Sequence, residues 1–268
     1  KPLEPHIRCF DWDGQIWYVT DLDYEIPRAM QMYKSEGKAK YALGSVLGHV
    51  LMHQTINGNE AILQMEQAGD YPDIIVGCTG GGSNLAGLMF PFLGQQLRGG
   101  QKIDIIGCEP LSCPSFTKGK YAYDHGDMAR MTPLIKMHSL GSDFLPPANH
   151  SGGLRYHGMS YHLSHLYDLG LMRAKAYGQK DCFEAGVIFG KQEGIIPAPE
   201  GNHAVKGAMD AALECKEKGE SKTILFNLCG HGHFDMTAYD DYFRGKLADD
   251  FYDETSANKS LSNLPEIA

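Results

Sequence analysis

The sequence of 268 residues lacks the marks of a secreted, membrane-spanning or disulfide-stapled protein. Its seven cysteines are an odd number and include no Cys-x-x-Cys pair, which argues against a disulfide framework and a structural zinc site. The longest apolar runs, such as Ile74–Cys78 and Ile103–Cys108, are far shorter than a membrane span. No cationic start followed by an apolar stretch and a cleavage site is present. We therefore expect a cytoplasmic protein with reduced thiols.

Basic residues are also scarce, since 24 lysines and arginines stand against 33 acidic residues and the net charge is −9. Nucleic acids and anionic membranes require a basic surface, so we expect neither as a partner. The chain is 43% hydrophobic and is long enough to bury a large core.

Hydrophobic spacing predicts alternating helices and strands. Apolar residues at three- and four-residue intervals predict a helix from Gly44 to about Ala68. Continuous apolar runs predict two strands buried on both faces, Ile74–Cys78 and Ile103–Cys108, with a helix from Leu85 to about Leu97 between them. This order is a right-handed βαβ unit, so we predict an α/β fold with a parallel twisted sheet flanked by helices.

The remaining segments set the expected domain boundaries. Residues 41–246 are predicted to form one α/β domain, with an irregular part over 111–156. Residues 1–40 carry no assigned chemistry but include Asp13-Gly14 between apolar runs, which predicts a hairpin. Residues 247–268 are acidic and polar, and we expect them to fray. Further helices are predicted at 157–169, 180–193 and 204–218, and a last buried strand at 223–228.

A glycine-rich loop, Gly80-Gly81-Gly82-Ser83-Asn84, directly follows the first buried strand. Glycines allow close approach of the backbone, and the first N–H groups of the next helix attract anions. Four or five hydrogen bonds of about 1.5–3 kcal/mol each would anchor a phosphomonoester. The alternative is a tight turn in which Ser83 or Asn84 caps the helix. No Walker lysine or dinucleotide-type glycine spacing is present.

A metal site is a weaker hypothesis. His231 and His233 are two residues apart, but a metal needs a third and a fourth ligand. His157, His203 and Asp235 are candidates that the sequence does not place. We therefore expect no metal.

Several segments in fixed order carry a more specific signal. They are Tyr41–Leu47, the glycine loop with Cys108-Glu109-Pro110, Ser151–Gly158, Glu193–Glu200 and Asn227–Asp235. Together they resemble the tryptophan synthase β family, and in particular its stand-alone, second type of β subunit. The resemblance implies a fold type II pyridoxal-phosphate domain that lacks most of the family's N-terminal domain.

The resemblance also implies a site for pyridoxal 5'-phosphate. Glu200 is the implied catalytic residue, close to the pyridine ring and the reacting amino acid. The implied cofactor-binding residues are Gly80, Gly81, Gly82, Ser83, Asn84, Glu200, Cys229 and Gly230. Arg155 is a candidate for the substrate side of the pocket, with a structural salt bridge as the alternative.

Cys229 departs from the family pattern, which usually has a serine that hydrogen-bonds the pyridine nitrogen. A thiol is a weak donor, so we expect that nitrogen to stay unprotonated. A neutral ring is a weaker electron sink, which suits β-elimination and β-replacement more than transamination. The alternative is a buried thiol that packs at a strand end.

The implied reaction is β-replacement, in which L-serine and indole give L-tryptophan in a homo-oligomeric enzyme. The family's Schiff-base lysine lies in a Ser/Ala-His-Lys-x-Asn context, and its acid/base group in Glu-Thr-Gly-Ala-Gly. Neither context occurs in this sequence. We therefore expect the C-terminal part of a longer enzyme, or half of a split enzyme with a separate N-terminal chain, inactive without the missing part.

Two other functions remain open at this point. The chain is alternatively a non-catalytic protein that binds pyridoxal phosphate or another phosphate ligand, or assists assembly. A weaker alternative is a fold type II enzyme that acts on serine or threonine with another nucleophile.

Overall fold

The computed structural model describes residues 44–128, 130–249 and 251–266, together with two short strands near the N-terminus. The strands are β1 (Ile7–Phe10), β2 (Ile16–Val19), β3 (Ile74–Cys78), β4 (Asp104–Pro110), β5 (Lys120–His125), β6 (Leu134–Ser139), β7 (Arg173–Tyr177) and β8 (Ile224–Phe226). The helices are α1 (Gly48–Ala68), α2 (Ser83–Leu97), α3 (Tyr161–Asp168), α4 (Gln179–Glu193), α5 (Pro199–Lys218), α6 (Met236–Phe243) and α7 (Glu254–Leu261).

Parallel strands form the central sheet in the order β7-β4-β3-β8. β3 is a central strand, with Ile74 opposite Asp104 on one side and opposite Ile224 on the other. The predicted α/β class with a parallel sheet is confirmed. The strands predicted at residues 74–78 and 103–108 correspond to β3 and β4.

The central strands bury both of their faces. Ile75 and Ile105 pack into an apolar core with residues of α1 and α2, such as Leu51 and Phe92. Ile74, Val76 and Ile106 point the other way and pack against α5. Because successive side chains of a strand alternate between faces, a strand covered by helices on both sides needs a continuous apolar run.

Glycines let α1 and α2 approach each other closely. A Cβ at Gly87 would lie 2.6 Å from the carbonyl oxygen of Gln54, and one at Gly58 would lie 2.7 Å from the carbonyl oxygen of Gly87. Real Cβ atoms do not tolerate such distances to backbone oxygens. The crossing holds α1 close to the N-terminal end of α2, where the site described below lies.

The segment 111–156 is not wholly irregular, and this part of the prediction is wrong. β5 and β6 pair antiparallel, with Lys120 opposite Ser139. The Tyr121 and His138 rings stack across the pair with centroids 4.9 Å apart. Charged residues interrupt both strands, so their alternation is weak in the sequence, and cross-strand side-chain pairs hold them together.

Nothing in the hydrophobic pattern predicts β7, which lies at an edge of the sheet. Arg173 and Lys175 interrupt its apolar residues. In the structure Arg173 forms an ion pair with Asp104 at 2.8 Å, and Lys175 forms one with Glu214. An edge strand tolerates such charges because they reach solvent.

Residues 247–268 contain a docked helix instead of a fraying tail. Ala257 of α7 is fully buried in an apolar cluster with Leu140 and Phe144. A Cβ at Gly141 would overlap the side chain of Ser260, so the helix packs directly on that backbone. Ala257 and Ser260 are the buried residues of this short helix, which is why the sequence shows little periodicity.

The N-terminal strands β1 and β2 pair antiparallel, with Ile7 opposite Val19 and Phe10 opposite Ile16. The Asp13-Gly14 turn predicted between them lies outside the described residues. Among the described helices, none combines the length and the apolar character that crossing a lipid bilayer requires.

Candidate functional site

A cavity of about 630 Å³ opens where β3 and β8 end. Gly80–Asn84, which follow β3, and Asn227–Cys229, which follow β8, both line it. Helix α1 contributes several polar side chains, and α5 contributes Glu200 from its first turn. Ligands of open α/β sheets bind outside the carboxyl ends of the strands, and cavities of about 300–1,000 Å³ hold small molecules. Both position and size fit a small-molecule site.

The glycines of the loop leave no room for side chains. A Cβ at Gly80 would lie 2.5 Å from the carbonyl oxygen of Gly153, and one at Gly81 would overlap the side chain of Ser45. Gly82 has a φ of +102°, a conformation that residues with a Cβ rarely adopt. The loop therefore has a fixed course between neighbouring segments.

The amide groups of this loop have no hydrogen-bond partner in the part of the chain that the structure describes. In the described part of the chain, the N–H groups of Gly80–Asn84 donate no hydrogen bond to a protein acceptor. Gly82 is the N-cap of α2 and offers no side-chain cap, so neither Ser83 nor Asn84 plays the capping role considered above. Uncapped N–H groups at a helix N-terminus bind anions, and the helix dipole adds to the attraction.

Two thiols meet beside the loop. The sulfur atoms of Cys78 and Cys229 are 3.5 Å apart. Asn84 donates from Nδ2 to Cys78 Sγ at 3.4 Å and accepts at Oδ1 from Asn227. This network joins the end of β3, the start of α2 and the segment after β8.

The thiol contact separates the two pKa values. The hydrogen bond between the sulfur atoms, together with burial, raises the pKa of Cys78 well above its ordinary value. The same hydrogen bond lowers the pKa of Cys229, while burial and the Glu200 carboxylate oppose that change. The contact therefore favours the proton on Cys78 over the proton on Cys229.

Glu200 lies in the first turn of α5, directly after Pro199 at the helix start. Its Oε1 accepts a hydrogen bond from the Gly153 N–H at 2.9 Å. Gly153 belongs to a short 3₁₀ turn, Gly152–Leu154, that also contacts Gly80. The carboxylate is therefore held at the cavity by the turn that fixes the glycine loop.

The family model for pyridoxal-phosphate dependent enzymes matches residues 12–230. The chain belongs to this family. The cofactor that defines the family is pyridoxal phosphate, as the motifs predict. The match begins before Tyr41, so it also covers most of residues 1–40, to which the motifs assign no chemistry.

Curated members of the family are similar over most of this chain. The tryptophan synthase beta chain 2 of Aquifex aeolicus (strain VF5) is 54% identical over 231 residues, which are 85% of this chain and 53% of the relative. That of Methanosarcina mazei is 53% identical, over 84% of this chain and 51% of the relative. The predicted resemblance is confirmed, and the chain spans about half the length of these relatives.

Two solved structures share the fold at low sequence identity. A fungal L-serine ammonia-lyase from Rhizomucor miehei superposes with a TM-score of 0.54 at 13% identity, covering 75% of this chain and 58% of that one. A threonine deaminase from T.th. gives a TM-score of 0.55 at 16% identity, covering 80% of this chain and 61% of that one. The likeness supports the predicted fold type II architecture of pyridoxal-phosphate enzymes.

The structure of this pyridoxal-phosphate family member brings most of the predicted site residues together. Gly80–Asn84, Glu200 and Cys229 line the same cavity. Gly230 lies next to Cys229 but is not among the lining residues. Its carbonyl oxygen accepts the Ala198 N–H at 2.9 Å, which fixes the turn behind the cavity.

Arg155 is a second predicted residue that does not line this cavity. Its Nε donates to the carbonyl oxygen of Pro147 at 3.0 Å, and a terminal nitrogen donates to that of Pro146 at 2.6 Å. Among the described residues, the partners of the guanidinium are therefore carbonyl oxygens of a loop backbone and not a carboxylate.

The histidines after Cys229 do not form part of a metal cluster in the described residues. The His231 and His233 rings lie with centroids 4.8 Å apart, and the His233 N–H donates to His231 Nδ1 at 3.3 Å. These contacts shape the turn that follows the cavity.

The sequence motifs miss the contribution of α1 to the site. Gln54, Asn57, Glu60 and Gln64 line the cavity together with Ala61. A signal was available, because polar residues at three- to four-residue spacing on the side of a buried alanine indicate a helix face turned to a polar cavity. If α1 is interpreted as an ordinary amphipathic helix whose polar residues all face solvent, this polar cavity face is missed.

Proposed function

We propose that the cavity binds pyridoxal 5'-phosphate, with the phosphate on the amides of Gly80–Asn84 and the ring end at Cys229. The carrying observation is that the loop amides, which have no partner among the described residues, and the exposed thiol line one cavity. The loop fits the group because its glycines leave the backbone N–H groups uncovered. Several charge-assisted hydrogen bonds, about 1.5–3 kcal/mol each, would hold the dianion.

The proposed activity is the tryptophan synthase β reaction, in which indole replaces the hydroxyl of L-serine to give L-tryptophan. Identity at about half of the aligned residues with proteins named tryptophan synthase beta chain supports it. This chain would supply the cofactor-phosphate half of the enzyme, since it spans about half of those relatives.

No lysine is among the described residues that line the cavity. The family chemistry needs an amine that attaches to the cofactor aldehyde. We assign that lysine to the part of the relatives that this chain does not span, carried on the same polypeptide or on a separate N-terminal chain.

Each local residue has a proposed role. Bound pyridoxal phosphate supplies an electron sink for charge that develops on the amino acid. Glu200 lines the cavity with Oε1 held by Gly153, and Oε2, which has no partner among the described residues, is assigned to exchange a proton with a bound molecule. Cys229 is a weak donor, and it would leave the ring nitrogen unprotonated.

Binding and turnover are tested separately. Pyridoxal phosphate is titrated calorimetrically into the purified chain, and tryptophan formation from serine and indole is assayed with the N-terminal half of the Aquifex aeolicus relative added. Saturable binding of pyridoxal phosphate by the chain, together with tryptophan formation once the N-terminal half is added, supports the proposal. Absence of binding overturns the cofactor assignment.

The alternative is a non-catalytic protein that binds pyridoxal phosphate or assists assembly, and the lysine-free lining favours it. Borohydride reduction of the complemented sample, followed by peptide mapping, separates the two. A cofactor-labelled lysine on the added half supports catalysis, whereas tight binding with no labelled lysine and no tryptophan supports the alternative.

A further inference from the structure

Two cysteines of the cavity are placed to react with each other. The Sγ atoms of Cys78 and Cys229 are 3.5 Å apart, and both residues line the cavity. Cys229 is the exposed one among the cysteines that the structure describes, and Cys78 lies behind it. A molecule that enters the cavity therefore meets Cys229 first.

The backbone brings the two cysteines to the same end of two neighbouring strands. β3 and β8 are neighbouring parallel strands, with Val76 opposite Phe226. The Asn227 N–H continues the pairing with a hydrogen bond to the Val76 oxygen at 3.1 Å. Cys78 is the last residue of β3, and Cys229 follows the end of β8 at Phe226 by three residues. Closing the sulfur atoms to about 2.05 Å requires a movement of only about 1.5 Å.

We propose that Cys78 and Cys229 form a peroxide-reactive dithiol that closes reversibly to a disulfide inside the cavity. The hydrogen bond from Cys78 favours the thiolate form of Cys229, which is the nucleophilic form. Cys78 is held beside it by Asn84 as the resolving thiol.

The chemistry balances with hydrogen peroxide as the oxidant. The Cys229 thiolate attacks one peroxide oxygen, the O–O bond breaks, and a sulfenic acid and water result once the released hydroxide takes up a proton. The Cys78 sulfur then attacks Cys229 Sγ, the S–O bond breaks, and the leaving hydroxide takes the Cys78 proton to form a second water. Two electrons pass from the thiols to the peroxide.

Peptide mapping tests this directly. The purified chain is treated with a small excess of hydrogen peroxide, alkylated, digested without reductant and analysed by mass spectrometry. We expect a Cys78–Cys229 cross-linked peptide that dithiothreitol releases. Recovery of Cys78 as the alkylated thiol together with a sulfinic or sulfonic acid at Cys229 would overturn the proposal, as would full alkylation of both residues.

Variants supply the controls. The parent should consume one molecule of hydrogen peroxide per chain, and Cys229→Ser should lose this consumption. Cys78→Ser should leave a sulfenic acid at Cys229, which dimedone traps. Cys215→Ser changes a buried cysteine of α5 away from the cavity and should leave the cross-link intact. Loss of the cross-link in Cys215→Ser, with its circular dichroism unchanged, would contradict the assigned pair. Because the peptide mapping uses the unmodified chain, its result does not depend on whether any variant folds.

The effect on the cofactor rests on the proposed function. The disulfide removes the Cys229 thiol that faces the ring end, so oxidation should weaken pyridoxal phosphate binding about tenfold, and dithiothreitol should restore it. Equal affinity before and after oxidation would show that the disulfide does not act on the cofactor. A mapped disulfide without binding in either state would retain the dithiol and refute the cofactor proposal.

Discussion

Replacing Gly80 by alanine tests how the glycine loop is built. The new Cβ would lie 2.5 Å from the Gly153 carbonyl oxygen and 2.9 Å from the Leu154 Cα. Ordinary contacts of this kind are about 3.4–4 Å, so one backbone must move by about 1 Å. Overpacking of this size costs about 1–3 kcal/mol of folding free energy.

The larger effect of Gly80→Ala is expected on binding. Displacing the loop would misdirect at least two of its amide groups, and each contributes about 1.5–3 kcal/mol to a bound phosphate. A loss of about 3 kcal/mol corresponds to more than a hundredfold in Kd. Isothermal titration with pyridoxal phosphate measures this loss, and urea unfolding without ligand measures the stability term independently.

Gly152→Ala is the matched control. Gly152 lies in the same 3₁₀ turn as Gly153, its Cβ position has no neighbour within 4 Å, and its φ is not positive. This variant should bind and unfold like the parent, within about 0.5 kcal/mol. If Gly80→Ala bound pyridoxal phosphate within twofold of the parent, the loop would not be the phosphate site.

Three further predictions address the helix crossing, the thiol and a buried carboxylate. Gly58→Ala should destabilise the protein by about 1–3 kcal/mol in urea unfolding, because its Cβ would press on the Gly87 carbonyl oxygen of α2. Glu200→Gln removes the charge that raises the pKa of Cys229, so the alkylation rate of that thiol should titrate at lower pH; an unchanged profile would contradict this. Burial raises the pKa of Glu109 to about 7 from 4.5, so the protein should lose about 3 kcal/mol of stability as pH rises through that window. Glu109→Gln should flatten this loss between about pH 4 and 8 in urea unfolding, and an unaltered pH dependence would refute the assignment.

The sequence predicts the elements that buried apolar runs define. Ile74–Cys78 is a strand over the same residues in the structure, because a strand covered on both faces leaves an uninterrupted apolar signature. The glycine loop is also predictable from the sequence, since it follows a buried strand and precedes a helix. Elements with few buried residues escape the pattern, as α7 does with Ala257 and Ser260.

Contacts between distant segments escape for a different reason. Arg155 belongs to a motif that the family resemblance places at the substrate, but its guanidinium is held by carbonyl oxygens of Pro146 and Pro147. The geometry of a loop backbone decides that contact, and hydrophobic spacing contains no information about it. The same holds for the carboxylate of Glu200, whose partner is a main-chain N–H.

The order of strands in the sheet determines whether there is a site at all. Cys229 follows β8, about 145 residues after the glycine loop, and the two meet because β8 pairs with β3. Had β8 paired at the β7 edge, the thiol would lie three strands away, roughly 14 Å from the loop at about 4.8 Å per strand. Local patterns predict where each strand lies in the sequence but not which strand it pairs with in the sheet. The approach of Cys78 to Cys229, and with it the proposed dithiol, is thus a consequence of sheet order, which side-chain periodicity alone does not encode.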